Sequence, residues 1–228
     1  MTDRAILFSA PMIEALLSGR KTQTRRILSL PPAPEHLGEW QASTVGGPGV
    51  YDGKGRETPE YPCVWHSRTG AVVCPRFAVG DRLWVREAWR THKAYDDLKP
   101  SEMGGEETVW PELDRDNGHA HGRYRHARFM PRWASRLTLI VTDVRVERLQ
   151  DCSEADAWAE GLLRHPGTGG AYVIIGDLTL GADSAPYCYR MLWDHINGAG
   201  AWAANPWIVA ISFDVRKGNI DNLETAHG

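Results

Sequence analysis

Apolar positions along the chain fall into short blocks, each with its own period. Residues 5–8 (AILF) form a brief apolar run that predicts a strand. Ser9 follows in position to cap a helix, with Pro11 in the first turn, where a missing N–H costs little. Met12, Ile13, Leu16 and Leu17 then share one helical face, and Gly19 supplies a stop. After a turn at Gly80 and Asp81, Leu83 and Val85 alternate with Trp84 and Arg86, as in a half-buried strand. Residues 137–146 are rich in β-branched side chains and predict one long strand, bent at Asp143. Ser153 to Asp156 reads as a capping box that opens a short helix closed by Gly161. Ser184 and Pro186 start a further helix with Tyr189, Leu192, Trp193 and Ile196 on its apolar side, stopped by Asn197 and Gly198. Asn205-Pro206 forces a turn into a last strand over 207–215, with Val209, Ile211, Phe213 and Val215 on one face.

Between these blocks the pattern fails. Residues 31–76 carry Pro31, Pro32, Pro34, Gly46, Gly47, Pro48, Gly49, Gly53 and Gly55, which break any regular element. Residues 92–129 are polar and irregular, and 164–182 are glycine-rich. All three are expected to be loop insertions. The polar tail, residues 216–228, is expected to fray. Short strands and short helices in mixed order predict an α+β domain over 1–215. An antiparallel barrel with helices at its rim fits this order, and so does an open mixed sheet. No internal repeat is present.

Composition narrows the classes. Of the 228 residues, 42% are hydrophobic, enough for a real core, and no stretch reaches the ~18 apolar residues of a membrane span. Residues 1–8 do not read as a signal peptide. Cys63, Cys74, Cys152 and Cys188 form no C-x-x-C pair and are expected as reduced thiols in a cytoplasmic protein without membrane partners. The net charge of −3 means that any nucleic acid must be held by a local basic patch, weakly and with strong salt dependence. Ten tryptophans serve either as core anchors or as stacking platforms for bases.

The densest chemistry is the string Gly19-Arg20-Lys21-Thr22-Gln23-Thr24-Arg25-Arg26, directly after a helix stop. It resembles the signature of ASCH-domain proteins. Further pieces resemble the family in the same order: residues 80–87 (GDRLWVRE), 130–136 (MPRWASR), the 151–161 helix, and Asn205-Pro206-Trp207 with its strand. Together they cover roughly half the chain, and the closest likeness is to the larger ASCH proteins of bacteriophages and prophages. The resemblance implies a PUA-like β-barrel, closed or partly open, with short flanking helices and long loop insertions. It implies recognition of RNA or DNA or of a modified nucleoside. One small ASCH member is an amidohydrolase that deacetylates N4-acetylcytidine through a Lys, a Thr and a Glu. Those positions match Lys21, Thr24 and Glu160 here. Other members are ribonucleases. This chain is larger than the small amidohydrolase by its three insertions.

In that setting Thr24 offers a hydroxyl nucleophile and Lys21 a base, if burial or the neighbouring Arg20, Arg25 and Arg26 favour its neutral form. Glu160 orients Lys21 or passes a proton to the leaving amine. Arg25, Arg26 or backbone N–H groups are candidates to stabilise an oxyanion. Lys21 and Thr24 meet if the string keeps a helical turn and point oppositely in a regular strand. A second candidate cluster is Trp84, Arg86 and Glu87: ring and guanidinium suit a base and a phosphate, and Glu87 an exocyclic amine. Lys21, Trp84 and Glu160 are expected to line one cleft, and substitution of Lys21, Thr24 or Glu160 in it is expected to cost little stability. Arg132, Trp133 and Arg136 repeat the aromatic–basic mixture, either as surface residues or as backbone contacts. Cys63, His66 and Cys74, or His119, His121 and His126, offer zinc-ligand chemistry, but no paired second knuckle appears, and no metal is expected. No phosphate loop, H-E-x-x-H or G-x-S-x-G string is present, and no cofactor is expected. Three functions stay open: amidohydrolase, non-catalytic binder of a modified base or RNA, and ribonuclease.

Overall fold

The computed structural model describes residues 2–32, 38–114 and 120–223. In chain order the elements are β1 (Asp3–Leu7), α1 (Ala10–Leu17), β2 (Gln23–Ile27), β3 (Trp40–Val45), β4 (Tyr61–His66), β5 (Val72–Val73), β6 (Arg82–Arg86), β7 (Trp89–Arg90), β8 (Trp110–Pro111) and β9 (Leu137–Arg148). There follow α2 (Glu154–Ala159), β10 (Leu163–Arg164), β11 (Ala171–Ile175), β12 (Leu178–Ala182), α3 (Ala185–Asn197) and β13 (Trp207–Lys217). The fold is α+β, built mostly of sheet.

The main sheet has the order β1-β6-β9-β13-β2, with β1 parallel to β6 and the other neighbours antiparallel. Strand side chains alternate between faces, so each strand serves two environments. On one face Ile6, Leu83, Val85, Leu139, Val141, Val209, Ile211 and Phe213 join Ile13 and Leu16 of α1 in the largest core. On the other, Ile208 and Ala210 of β13 meet Ala157 of α2, Ala171 of β11, and Cys188, Tyr189, Leu192 and Trp193 of α3. The last strand is therefore buried on both faces. Val141 stands opposite Phe213 and Asp143 opposite Ser212, so Thr142 is the extra residue of a bulge, beside the expected bend.

The closed form of the expected barrel is not found among the described residues. β1 and β2 remain the two edges of the sheet. They approach each other, since Arg26 donates to the Leu7 carbonyl at 2.8 Å, but no ladder joins them among the described residues, and residues 73–77 line the groove beside them.

Two of the three insertions are ordered sheet rather than loop. Residues 40–73 form the antiparallel sheet β3-β4-β5. Its glycines Gly46, Gly47, Gly49 and Gly55 have positive φ and turn the chain between strands instead of breaking them. Pro34, read as another breaker, lies outside the described residues. Within 164–182, β11 and β12 pair through a two-residue turn at Gly176-Asp177, with Gly176 at φ +58. The described parts of the third insertion, 92–114 and 120–129, do stay largely irregular, around a small core of Trp89, Met103, Met130 and Ala134.

The tail is also a correction. β13 continues to Lys217, Ile220 is fully buried, and the Asn219 amide donates to the carbonyls of Arg132, Trp133 and Ser135 at 2.8, 3.0 and 2.9 Å. Residues 224–228 lie outside the described part. No described helix is long and apolar enough to cross a membrane.

Candidate functional site

The site is built where α2 ends against the start of β2. Ser153 caps α2 reciprocally: its hydroxyl accepts from the Asp156 N–H at 3.1 Å while the Asp156 carboxylate accepts from the Ser153 N–H at 3.2 Å. The helix stops at Gly161, whose φ is +99. A Cβ there would lie 2.8 Å from the Ala15 Cβ and 3.0 Å from the Lys21 Cβ, so only glycine lets the helix end approach α1 and Lys21 this closely. The Thr22 N–H then donates to the Ala159 carbonyl at 2.9 Å, and Lys21 bridges Glu160.

From Gln23 onward the far edge of β2 carries no strand among the described residues. The Thr22 carbonyl accepts from the Phe213 N–H and the Leu28 N–H donates to the Trp207 carbonyl, and residues of a ladder alternate in the direction of their polar groups. The N–H and C=O of Gln23, Arg25 and Ile27 therefore point to the free edge. A cleft of about 280 Å³ runs along it. Met12 and Ala15 of α1 form one wall, and Tyr189, Leu192, Trp193 and Ile196 of α3 the other; Thr24, Arg25, Arg26 and Glu160 are among its polar residues, with His195 and Asn197 at the end of α3.

The Glu160 carboxylate straddles this edge. Its Oε2 accepts from Lys21 Nζ at 2.7 Å, and its Oε1 accepts from Arg25 at 3.4 Å. Lys21 also donates to the Glu160 carbonyl at 3.0 Å. Its Nζ lies over the Phe8 ring at 5.7 Å, as the Arg26 guanidinium does at 5.3 Å. Thr24 and Arg26 share a face of β2, so the Lys21 amine is on their side, while Arg25 occupies the opposite face. The string is extended, as the strand alternative required. The break in regular pairing at Lys21–Thr22, and not a helical turn, swings the amine to the Thr24 side.

On the Arg25 face a charged ladder backs the site. The register places Gln23 and Arg25 of β2 beside Asp143, Arg145 and Glu147 of β9, across Ile208, Ala210 and Ser212. Arg25 donates to Gln23 at 2.6 Å and Glu147 at 2.9 Å and lies 3.3 Å from Asp156, which also accepts from Arg145 at 2.7 Å. Arg25 is thereby committed to holding the site in place.

Burial pulls the Lys21 amine below the usual lysine range, against the Glu160 carboxylate, which favours the ammonium. Burial, with Glu160 next, raises the Tyr189 phenol well above its ordinary value and keeps it neutral. The Cys152 thiol nearby is pushed up to about 12, chiefly by burial, so it is no nucleophile at neutral pH. Burial works to raise the Asp156 carboxyl, but the Ser153 hydroxyl, Arg145 and Arg25 together hold it well below the carboxylate range.

The structure thus joins Lys21, Thr24, Glu160, Arg25 and Arg26. Lys21 itself departs from expectation: its exposure is 0%, and it lies behind Glu160 without lining the cleft. Arg20 turns outward to Ser18 and to the Gly161 carbonyl, at 3.0 and 2.6 Å, and ties the helix end down. Trp84, Arg86 and Glu87 do not line this cleft. Arg86 does stack on Trp84, at 4.5 Å, beside a separate groove with Lys99, Arg128 and Phe129. Glu87 is buried, with both oxygens taken by Arg136 at 2.8 and 2.9 Å. Arg132 pairs with Asp3 and Asp221, and Trp133 packs edge-on against Trp89. No group of three or more His, Cys, Asp or Glu side chains among the described residues is placed to hold a metal ion. His119 lies outside them. Sequence reasoning missed the β9 ladder, although the alternation of Asp143, Arg145 and Glu147 in a strand otherwise rich in apolar residues was its signal. Comparison with protein-family models, with curated proteins and with solved structures gives no match to this chain.

Proposed function

We propose that this chain hydrolyses the exocyclic amide of an N4-acylated cytosine nucleoside, or of a similar modified base, in the cleft beside β2. The observation that carries the reading is the Lys21 amine 2.7 Å from a Glu160 carboxylate that itself lines the cleft with Thr24. The same three residues are those that the ASCH resemblance singles out. The approach of the two sheet edges across Arg26 supports reading the main sheet as a partly open PUA-like barrel.

Amide cleavage needs a nucleophile, an acceptor for its proton and a donor to the leaving amine. Thr24 supplies the hydroxyl. Lys21 rests as the ammonium paired with Glu160; burial eases the passage of its proton to that carboxylate, and the amine so freed takes the Thr24 proton as the oxygen attacks the acyl carbon. The proton passes by way of Glu160 to N4, which leaves as the amine of cytosine. Water then cleaves the Thr24 ester, restoring the hydroxyl and releasing the carboxylic acid. The Arg25 N–H at the open edge is the donor for the transient oxyanion. Cleft size supports a single nucleoside over a longer nucleic acid, since 280 Å³ is at the low end of small-ligand pockets, which start near ~300 Å³. Arg25 Nε and Trp193 Nε1, both buried at cleft residues, have no acceptor among the described residues, and a base carbonyl would provide one.

A second reading, a non-catalytic binder of a modified base, is favoured by one observation: Lys21 is wholly enclosed. Incubation with N4-acetylcytidine and, separately, with labelled RNA distinguishes the possibilities. Cytidine and acetate by mass spectrometry support the hydrolase. Saturable binding of an unchanged nucleoside supports the binder. Shortened RNA on a gel means a ribonuclease and overturns both.

A further inference from the structure

We infer that Cys63 and Cys74 form a redox couple, closing reversibly to a disulfide when the folded protein meets a low-molecular-weight disulfide such as oxidised glutathione. The inference starts from register. β4 and β5 pair with Val64 opposite Val73 and Trp65 opposite Val72. One step further along the same antiparallel ladder, Cys63 stands opposite Cys74. The phase of the ladder follows from the His66 N–H, which donates to the Ala71 carbonyl at 2.8 Å. Residues 66 and 71 are a hydrogen-bonded pair, hence 64 and 73 are another, and 65/72 and 63/74 are the closer pairs without hydrogen bonds. Such pairs bring Cα atoms to ~4.5 Å, inside the ~4.4–6.8 Å that a disulfide spans. The side chains of opposed residues lie on the same face of the sheet. Both thiols are free.

Their surroundings assign different roles. Cys74 is exposed and meets the reagent. Cys63 is buried, with Cys74 on one flank and Ser43 of β3 opposite it on the other. Burial, and next the neighbouring Cys74, raises the Cys63 thiol, so it reacts second. The Cys74 thiolate attacks one sulfur of oxidised glutathione and forms a mixed disulfide, releasing one glutathione thiolate. Cys63 then loses its proton to that thiolate and attacks the Cys74 sulfur. The protein disulfide forms, and the second glutathione leaves and is protonated from solvent. Two protein thiols are oxidised and one glutathione disulfide is reduced to two thiols. The bond fastens Cys74 to β4. Cys74 and the following Pro75, Arg76 and Phe77 line the groove between the two edges of the main sheet with Arg26, so oxidation fixes the wall of that groove.

The test uses the full chain in a glutathione redox buffer, quenched by alkylation and mapped by mass spectrometry without reduction. The expected result is a loss of two hydrogen atoms, protection of Cys63 and Cys74 alone, a linked peptide pair containing both, and full reversal by dithiothreitol. Cys63→Ser should instead retain a glutathione adduct on Cys74, while Cys74→Ser should form neither adduct nor link. The idea is overturned if the wild-type protein keeps both thiols free, holds a stable glutathione adduct at Cys74, or links either cysteine to Cys152 or Cys188. The wild-type readout decides even if a variant fails to fold.

Discussion

Glu160 presents one carboxylate to two cations on opposite faces of an edge strand, and this makes the site as much a structural joint as a chemical one. Lys21 has no exposure and the Glu160 side chain 4%. Removing one member of a buried pair leaves the other charge uncompensated and costs about 3–5 kcal/mol. Lys21→Met should therefore lower the free energy of urea unfolding by that amount. The double change Lys21→Met with Glu160→Leu should cost less than the sum of the two singles. A loss below ~1 kcal/mol for Lys21→Met would show that the pair is not closed in solution. This reverses the expectation that substitutions here leave stability alone. The residue types of the site were legible in one string and one helix end, but their burial was not, because it depends on Gly161 fitting against Ala15. Asp156 adds a pH dependence. Its folded-state pKa is below the ordinary 3.8, so its contribution is complete above 3.8 and is lost as pH falls through the folded value. Stability should decline below about pH 4, and Asp156→Asn should flatten that acid limb in unfolding titrations. It should not abolish the limb, since Asp3 is lowered too, by Arg82 first and then Arg132. An unchanged limb would contradict the Asp156 assignment.

Among the elements, α2 has only six residues, too few to be stable alone, so its two ends decide its fate. The Ser153 capping box fixes one end, and the close approach at Gly161 fixes the other. Gly161→Ala meets both a left-handed φ and a contact at 2.8 Å with Ala15. It should cost on the order of 1–3 kcal/mol and, by moving the helix end, disturb Glu160. Gly169→Ala is the comparison: φ is +73, but nothing lies within 4 Å of the added carbon. Its cost should be visibly smaller in thermal or urea unfolding; equal costs would show that packing at Gly161 is not tight. Helix ends were legible because Ser153, Ser184, Gly19 and Gly161 are local signals. The β3-β4-β5 sheet was not, because residues 40–45 (WQASTV) stay mostly exposed and carry no apolar alternation, so pairing with β4 is written only across sixteen or more residues of separation. The β11–β12 hairpin was hidden for a related reason: its turn glycine, Gly176, falls in a stretch read as a glycine-rich insertion.

Across the whole molecule, one set of five strands carries three kinds of surface: an apolar face under α1, a mixed charged and apolar face under α2 and α3, and an open edge at β2. The chain order of blocks sufficed for the α+β class, but not for the choice between barrel and open sheet. That choice is made by the meeting of β1 with β2, between which stands the long side chain of Arg26. The cleft depends on β2 remaining an edge: were it covered by another strand, Arg25 would have no free backbone groups to offer. What the molecule does therefore turns on whether this edge performs chemistry. The direct measurement is acetate release from N4-acetylcytidine by the wild-type protein and by Glu160→Gln, Thr24→Val and Lys21→Arg, each first confirmed folded by circular dichroism. The account predicts steady conversion to cytidine and acetate by the wild-type protein and a fall of at least ~100-fold in each variant, as expected when a proton-transfer or nucleophilic group is lost. A wild-type protein that binds the nucleoside and releases no acetate, or a Lys21→Arg variant that keeps the full rate, would contradict it.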